Sequence, residues 1–203
     1  MNKPLQIGIT GGIGSGKSFV CSIFKKLGIP IYDADSRAKW LMANDENVKS
    51  QVIAAFGAKS YDENGLNRQY LAAEVFNSSD RIKQLNAIVH PAVGSDYKNW
   101  VEANYNQPYL IKEAALMFES GSYRHLDAVI YVHAPSKLRK ERVLKRDPQR
   151  TPSEIDAIIG KQLSEQELTE RSDYIIYNDE TKMLLPQIIN LNEQFKNREL
   201  ASQ

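Results

Sequence analysis

Short apolar runs alternate with longer segments whose apolar residues recur at helical spacing. Leu5-Gln6-Ile7-Gly8-Ile9-Thr10 reads as a buried strand, and Phe19, Val20, Ile23, Phe24 and Leu27 follow as a helical stripe. Gly28 is a helix stop. Ile29-Pro30-Ile31-Tyr32 makes a second, short strand, and its proline places it at a sheet edge or at the strand start. From Ser36 to about Tyr105 the pattern is helical. Val48, Val52, Ile53 and Phe56 form one stripe, Leu71, Ala72 and Val75 a second, and Ile82, Leu85, Ile88 and Val89 a third. Pro91 suits the first turn of a fourth helix carrying Val93, Tyr97, Trp100 and Val101. Tyr109-Leu110-Ile111-Lys112, Asp127 to His133, and Tyr174-Ile175-Ile176-Tyr177 supply three more strands. A last helix carries Met183, Leu184, Leu185, Ile188, Leu191 and Phe195, with Pro186 near its first turn or at a kink, before a tail, 201–203, expected to fray. Strands separated by helices predict an α/β fold with a parallel five-stranded sheet flanked by helices.

The link between the first strand and the first helix is Gly11-Gly12-Ile13-Gly14-Ser15-Gly16-Lys17-Ser18. It fits G-x-x-x-x-G-K-[ST], the phosphate-binding loop, and has the strand before it and the helix after it that the motif needs. Glycines let the backbone approach a ligand closely, and successive N–H groups then form an anion cradle. Lys17 carries positive charge to the outer phosphates, Ser18 offers a hydroxyl to Mg²⁺, and the helix adds its positive dipole end. Nucleotide phosphate binding is the expected function of this loop, and the fold expected around it is that of a P-loop kinase.

Composition narrows the partners. The formal net charge over 203 residues is +1, so no global field draws nucleic acid or an anionic membrane. Cys21 is the only cysteine, which excludes an intrachain disulfide and fits a small core residue. The longest stretch without charge, Pro4 to Gly16, is too short and glycine-rich to span a bilayer, and the loop occupies the place of a signal peptide's apolar segment. A cytoplasmic protein is expected.

Acidic residues follow two strands. Asp33-Ala34-Asp35 ends the second, where α/β sheets collect ligands. Asp35 either accepts a proton from an attacking hydroxyl or orients Mg²⁺ and its waters; the alternative is that Asp35 or Ser36 caps the next helix. Glu113, after the third strand, is either near a metal or a solvated carboxylate. His133, at the end of the fourth strand, reads as structural. Pro135 then opens a basic helix: seven basic and two acidic residues lie between Lys137 and Arg150. Arg139, Arg142 and Arg146 share one face, and arginine's planar fork matches a transferring phosphoryl group. Thr151-Pro152-Ser153-Glu154 is a capping box starting a helix through Ile155, Ile158, Ile159 and Leu163. The two helices and the polar break between them suit a lid. The expected organisation is a nucleotide-binding core of 1–35, 106–136 and 172–203, a helical acceptor-binding insertion of 36–105, and a lid of 137–171. Asn178 suits either the adenine edge or a turn. By pattern alone Arg68 and His90 read as surface or capping groups.

Taken together, these residues resemble the dephospho-CoA kinase family from about Ile7 to Asn178. Thr10 to Ser18 is similar to that family's opening motif, and Asp33-Ala34-Asp35 to its acidic motif, whose second carboxylate is taken as the catalytic base. Leu66-Asn67-Arg68, followed by Leu71 and Phe76, resembles the stretch whose arginine serves the CoA side. His90-Pro91 matches the His-Pro pair, Arg142 and Arg146-Asp147 resemble the lid arginines, and Gln162, Asp173 to Ile176 and Asn178 resemble the closing pattern near the adenine. Two departures stand out. Ala115-Leu116-Met117 replaces a proline followed by two leucines, and Leu168 stands where a basic residue is common.

The resemblance implies that ATP phosphorylates the ribose 3′-hydroxyl of dephospho-CoA, giving CoA and ADP in the last step of CoA synthesis. Asp35, Lys17 and Arg142 would be catalytic. Gly12, Ile13, Gly14, Ser15, Gly16, Lys17, Ser18, Arg146 and Asn178 would hold ATP. Asp33, Arg68 and His90 would serve the acceptor, and Ser18 would hold Mg²⁺. The expected partners are dephospho-CoA and ATP, without nucleic acid or membrane, in a monomer or weak homo-oligomer. The alternatives are another small-molecule P-loop kinase, of shikimate or gluconate type, and a GTP-dependent switch. The chain has no triple-glycine substrate loop and no Asn-Lys-x-Asp guanine motif.

Overall fold

The computed structural model describes residues 3–76, 78–198 and 200; the tail expected to fray and the side chain of Phe76 lie outside them. The chain divides into two compact units, Met1–Asp33 with Asn104–Gln203, and Ala34–Ala103. Asp35 therefore belongs to the second unit, and the segment 137–171 to the first.

The first unit is built on five parallel strands: β1 (Leu5–Thr10), β2 (Ile31–Asp33), β5 (Tyr109–Glu113), β6 (Ala128–His133) and β7 (Tyr174–Tyr177), in the order β2-β5-β1-β6-β7. β1 lies in the middle and is buried along its length, as its unbroken apolar run requires in a sheet covered on both faces. β2 is an edge strand, where Pro30 costs no ladder bond; its carbonyl instead accepts from the amide of Ile111. The ladders align Asp33 with Glu113, Ile9 with Glu113 and His133 with Tyr177, so these polar groups share the carboxyl edge of the sheet. Two aspartates pin strand starts: Asp127 accepts from the Gln6 amide and Asp173 from the Val129 amide, each at 2.7 Å.

Helix α1 (Lys17–Lys26) buries Val20, Cys21 and Phe24 against this sheet, while Phe19 lies off the buried stripe and is exposed. Helix α9 (Leu184–Lys196) buries Ile188, Leu191 and Phe195, whose ring meets Tyr109 and Tyr174 edge-on. Pro186 sits within its first turn. Between β6 and β7 lie α6 (Ser136–Arg146), α7 (Pro152–Ile159) and α8 (Glu165–Arg171). The Thr151–Glu154 capping box is formed. Helix α7 ends at Ile159, before the expected Leu163: Gly160 follows, and a second capping box, Ser164 with Glu167, opens α8.

The second unit contains α2 (Ala34–Asn44), α3 (Glu46–Phe56), a hairpin of β3 (Tyr61–Asp62) and β4 (Gly65–Leu66), α4 (Arg68–Phe76) and α5 (Ser79–Ala103). Val48, Val52, Phe56 and Leu71 form its core with Leu85 and Ile88 packed against them. The expected break before Pro91 is absent: α5 runs unbroken for 25 residues through it. Val89, Val93, Tyr97 and Val101 recur every fourth residue and are all buried, so one face continues across the proline, which is itself exposed. His90 is accordingly helical rather than extended. Arg37 of α2 makes a bidentate pair with Asp96 of α5, at 2.9 and 2.5 Å, and stacks over Trp40.

Candidate active site

The loop between β1 and α1 is fixed by its backbone and its neighbours. Gly14 and Gly16 hold φ of 79° and 90°, the left-handed region that side chains disfavour, and such alternation turns successive amides toward one concavity. The Lys17 Nζ donates to the carbonyls of Gly11 (2.7 Å) and Gly12 (3.4 Å), which curls the side chain over the loop. Three side chains from the far half of the chain grip the same loop. Gln162 Oε1 accepts from the Ile13 amide at 2.9 Å. Asn178 Nδ2 donates to the Ser15 carbonyl at 2.8 Å. The Arg139 guanidinium lies so close to Gly12 that a Cβ there would collide with it.

At the end of the loop, Ser18 Oγ donates to Glu113 Oε1 at 2.7 Å. Glu113 is 8% exposed, so a carboxylate taken out of water faces the loop's last hydroxyl. Cys21, one turn along α1, is buried; that burial, with Glu113 beside it, pushes its thiol well above the ordinary range and makes it a poor nucleophile. Tyr131 on β6 is likewise pushed up to about 12, first by burial and then by Glu165.

The basic helix α6 does not present one uniform charged face. Arg139 is buried and pairs with Glu165 of α8 at 3.2 Å. Arg142 donates to the backbone oxygen of Asn178 at 3.0 Å and to Glu180 at 3.1 Å. Arg146 is exposed and forks onto Asp147 at 3.1 and 2.8 Å, which raises the arginine and holds the Asp147 carboxyl below the usual range. His133 turns Nε2 toward Glu165 at 3.6 Å. Leu168 of α8 is buried.

The first unit thus brings together Gly12 to Ser18, Asp33, Arg142 and Asn178, while Asp35, Arg68 and His90 belong to the second. Helix α2 starts directly after β2 at Ala34, so Asp35 stands in its first turn and neither it nor Ser36 precedes the helix as a cap. Asp35, Arg68 and His90 are all exposed. Two parts of this arrangement had no local signal. Gln162, which the resemblance placed near the adenine, lies in the link between α7 and α8 and meets the Ile13 amide, and Glu165 at the start of α8 holds Arg139 rather than the loop, with no periodicity to single either out.

A parallel sheet with a glycine loop at the end of its central strand, a lysine and a serine on that loop, and arginines on the helix after β6 define a phosphate-loop kinase. The dephospho-CoA kinase family model matches residues 5–183. A dephospho-CoA kinase of Porphyromonas gingivalis is 36% identical over 194 residues, covering 96% of each chain. One of Salinibacter ruber is 40% identical over 178 residues, covering 86% of this chain and 89% of its own. The crystal structure of TT1252 from Thermus thermophilus superposes with a TM-score of 0.83 at 29% identity, over 97% of this chain and 98% of that one. The chain belongs to the dephospho-CoA kinase family, and the shikimate-type and GTP-switch alternatives are not favoured. Among the described residues, no helix is long and apolar enough to cross a membrane.

Proposed function

We propose that this chain transfers the γ-phosphoryl group of ATP to the 3′-hydroxyl of the ribose of dephospho-CoA, giving CoA and ADP in the final step of CoA synthesis. The match to the family model over residues 5–183 carries this reading. In it, the loop amides and Lys17 hold the β- and γ-phosphates. Arg142 turns from the Asn178 carbonyl and Glu180 to the transferring group, and Arg146 adds charge from the same helix. Asp35 orients or deprotonates the acceptor hydroxyl, with Asp33, Arg68 and His90 serving the acceptor.

Two adjacent oxygen groups, Ser18 Oγ and buried Glu113, fit Mg²⁺, a hard cation that takes few protein ligands and leaves the rest to water and phosphate. Bound there, Mg²⁺ would neutralise charge on the phosphate oxygens.

The test is a coupled ADP-release assay with ATP and Mg²⁺, offering dephospho-CoA beside shikimate, adenosine and AMP. Turnover with dephospho-CoA alone, yielding a 3′-phosphorylated product, is expected. Turnover only with another acceptor would overturn the substrate and keep the kinase.

A further inference from the structure

We infer that Arg139 binds nucleotide phosphate directly at the loop, and that Glu165 of α8 is the positioning residue that holds it there. This rests on the reading that the loop takes the phosphates of ATP.

Arg139 differs from its helical neighbours. Its side chain is 7% exposed, against 28% for Arg142 and 64% for Arg146. A guanidinium removed from water needs its charge paired and its donors occupied. Here the pairing is partial. Nη2 reaches Glu165 Oε1 at 3.2 Å, while the other Glu165 oxygen faces His133. The Nε is buried and has no hydrogen-bond partner among the described residues. Nη1 lies against Gly12 of the phosphate loop. A cation whose donors are this incompletely used, pressed on a phosphate loop, has the geometry for an anion to complete its shell, and its planar fork suits phosphate oxygens.

The residue at position 12 fits the same contact. The loop pattern leaves this position free. Gly12 does not hold the left-handed φ of Gly14 and Gly16, so its backbone does not call for glycine. A Cβ at Gly12 would strike Nη1, so a side chain there would push the guanidinium aside, whereas one on Gly14 would strike the Arg139 backbone oxygen. The glycine makes room for the arginine. Glu165, in turn, is the first residue of α8, and the Ser164–Glu167 box fixes that helix end. The arrangement runs from capped helix to Glu165, to Arg139, to loop.

The experiment measures equilibrium binding of ATP, ADP and adenosine, with no acceptor present, to the full chain and to Arg139→Gln, after thermal melts confirm that both are folded. A phosphate-binding role predicts that the ratio of ATP to adenosine affinity falls by about tenfold or more, the usual scale for a charged hydrogen bond. A fall of less than threefold, or an equal loss for adenosine, overturns it. Should Arg139→Gln fail to fold, Arg139→Lys keeps the charge but loses the fork, and the same threefold threshold decides. Glu165→Gln should lower the ratio threefold or more in the parent chain and leave it unchanged in Arg139→Gln, the signature of one residue acting through another; any other pattern removes Glu165 from the role. Failure of the parent chain to bind ATP would overturn the nucleotide reading itself, whereas failure with dephospho-CoA would leave this result standing.

Discussion

Ser18 and Glu113 meet across 2.7 Å, one from the end of the phosphate loop and the other from the end of β5. They are 95 residues apart in sequence, and the β1–β5 ladder brings them together. If this pair holds Mg²⁺, Glu113→Gln keeps the shape and removes the charge. The half-saturating Mg²⁺ concentration should then rise about tenfold and turnover fall ~10–100-fold, as for groups that hold or orient a metal. An unchanged Mg²⁺ titration curve would remove Glu113 from the metal.

Asn178 joins the last strand to the loop. Its side chain donates to Ser15, its amide to His133, and its carbonyl accepts from Arg142. If Asn178 works as a brace for the loop, its effect falls on phosphate rather than on the base. Asn178→Ala should therefore raise KM for ATP about fivefold, near the worth of one hydrogen bond. The preference for ATP over GTP should stay as it was. A collapse of that preference would instead place Asn178 at the adenine edge.

The sheet was legible because hydrophobic period and strand length report burial directly. The Tyr174–Tyr177 strand followed from local pattern alone, and of the two places that pattern offered for Pro30, an edge or a strand start, the structure has both: Pro30 directly precedes β2, an edge strand. The loop was legible because its chemistry is contiguous. The contacts that hold it were not: Gln162 meets Ile13 across 149 residues, and Asn178 meets Ser15 across 163. Periodicity tells which face of an element is buried, not which side chain from another element lies on it. Arg139 illustrates this: the helical spacing put it on one face with Arg142 and Arg146, and only the fold shows that it alone of the three is buried, against Gly12.

Pro91 failed as a helix start for a different reason. A proline inside a helix lacks one backbone bond, but an exposed one leaves the freed carbonyl to water while the buried stripe continues beneath. The stability cost remains. Proline is about 3 kcal/mol less favourable than alanine in a helix interior, and its stiffening of the unfolded chain offsets up to about 1 kcal/mol of that. Pro91→Ala should therefore stabilise the protein by about 2 kcal/mol, read as a higher denaturant midpoint at unchanged slope. A lower midpoint would show that the proline ring makes packing contacts worth more than the missing bond.

Asp35 tests the chemistry most directly. It stands exposed in the first turn of α2, where a carboxylate favours the helix by about 0.3–1 kcal/mol through the dipole. A purely structural carboxylate would act on stability and not on the rate of the chemical step. A general base is worth ~100-fold or more in rate. Asp35→Asn keeps the size and loses the charge, so the two roles separate cleanly. The expected outcome is a melting temperature within a few degrees of the parent, unchanged ATP affinity, and turnover with dephospho-CoA at least ~100-fold lower. Near-normal turnover, with only the small stability loss, would leave Asp35 a helix residue and send the search for the base to Asp33, two residues earlier at the end of β2.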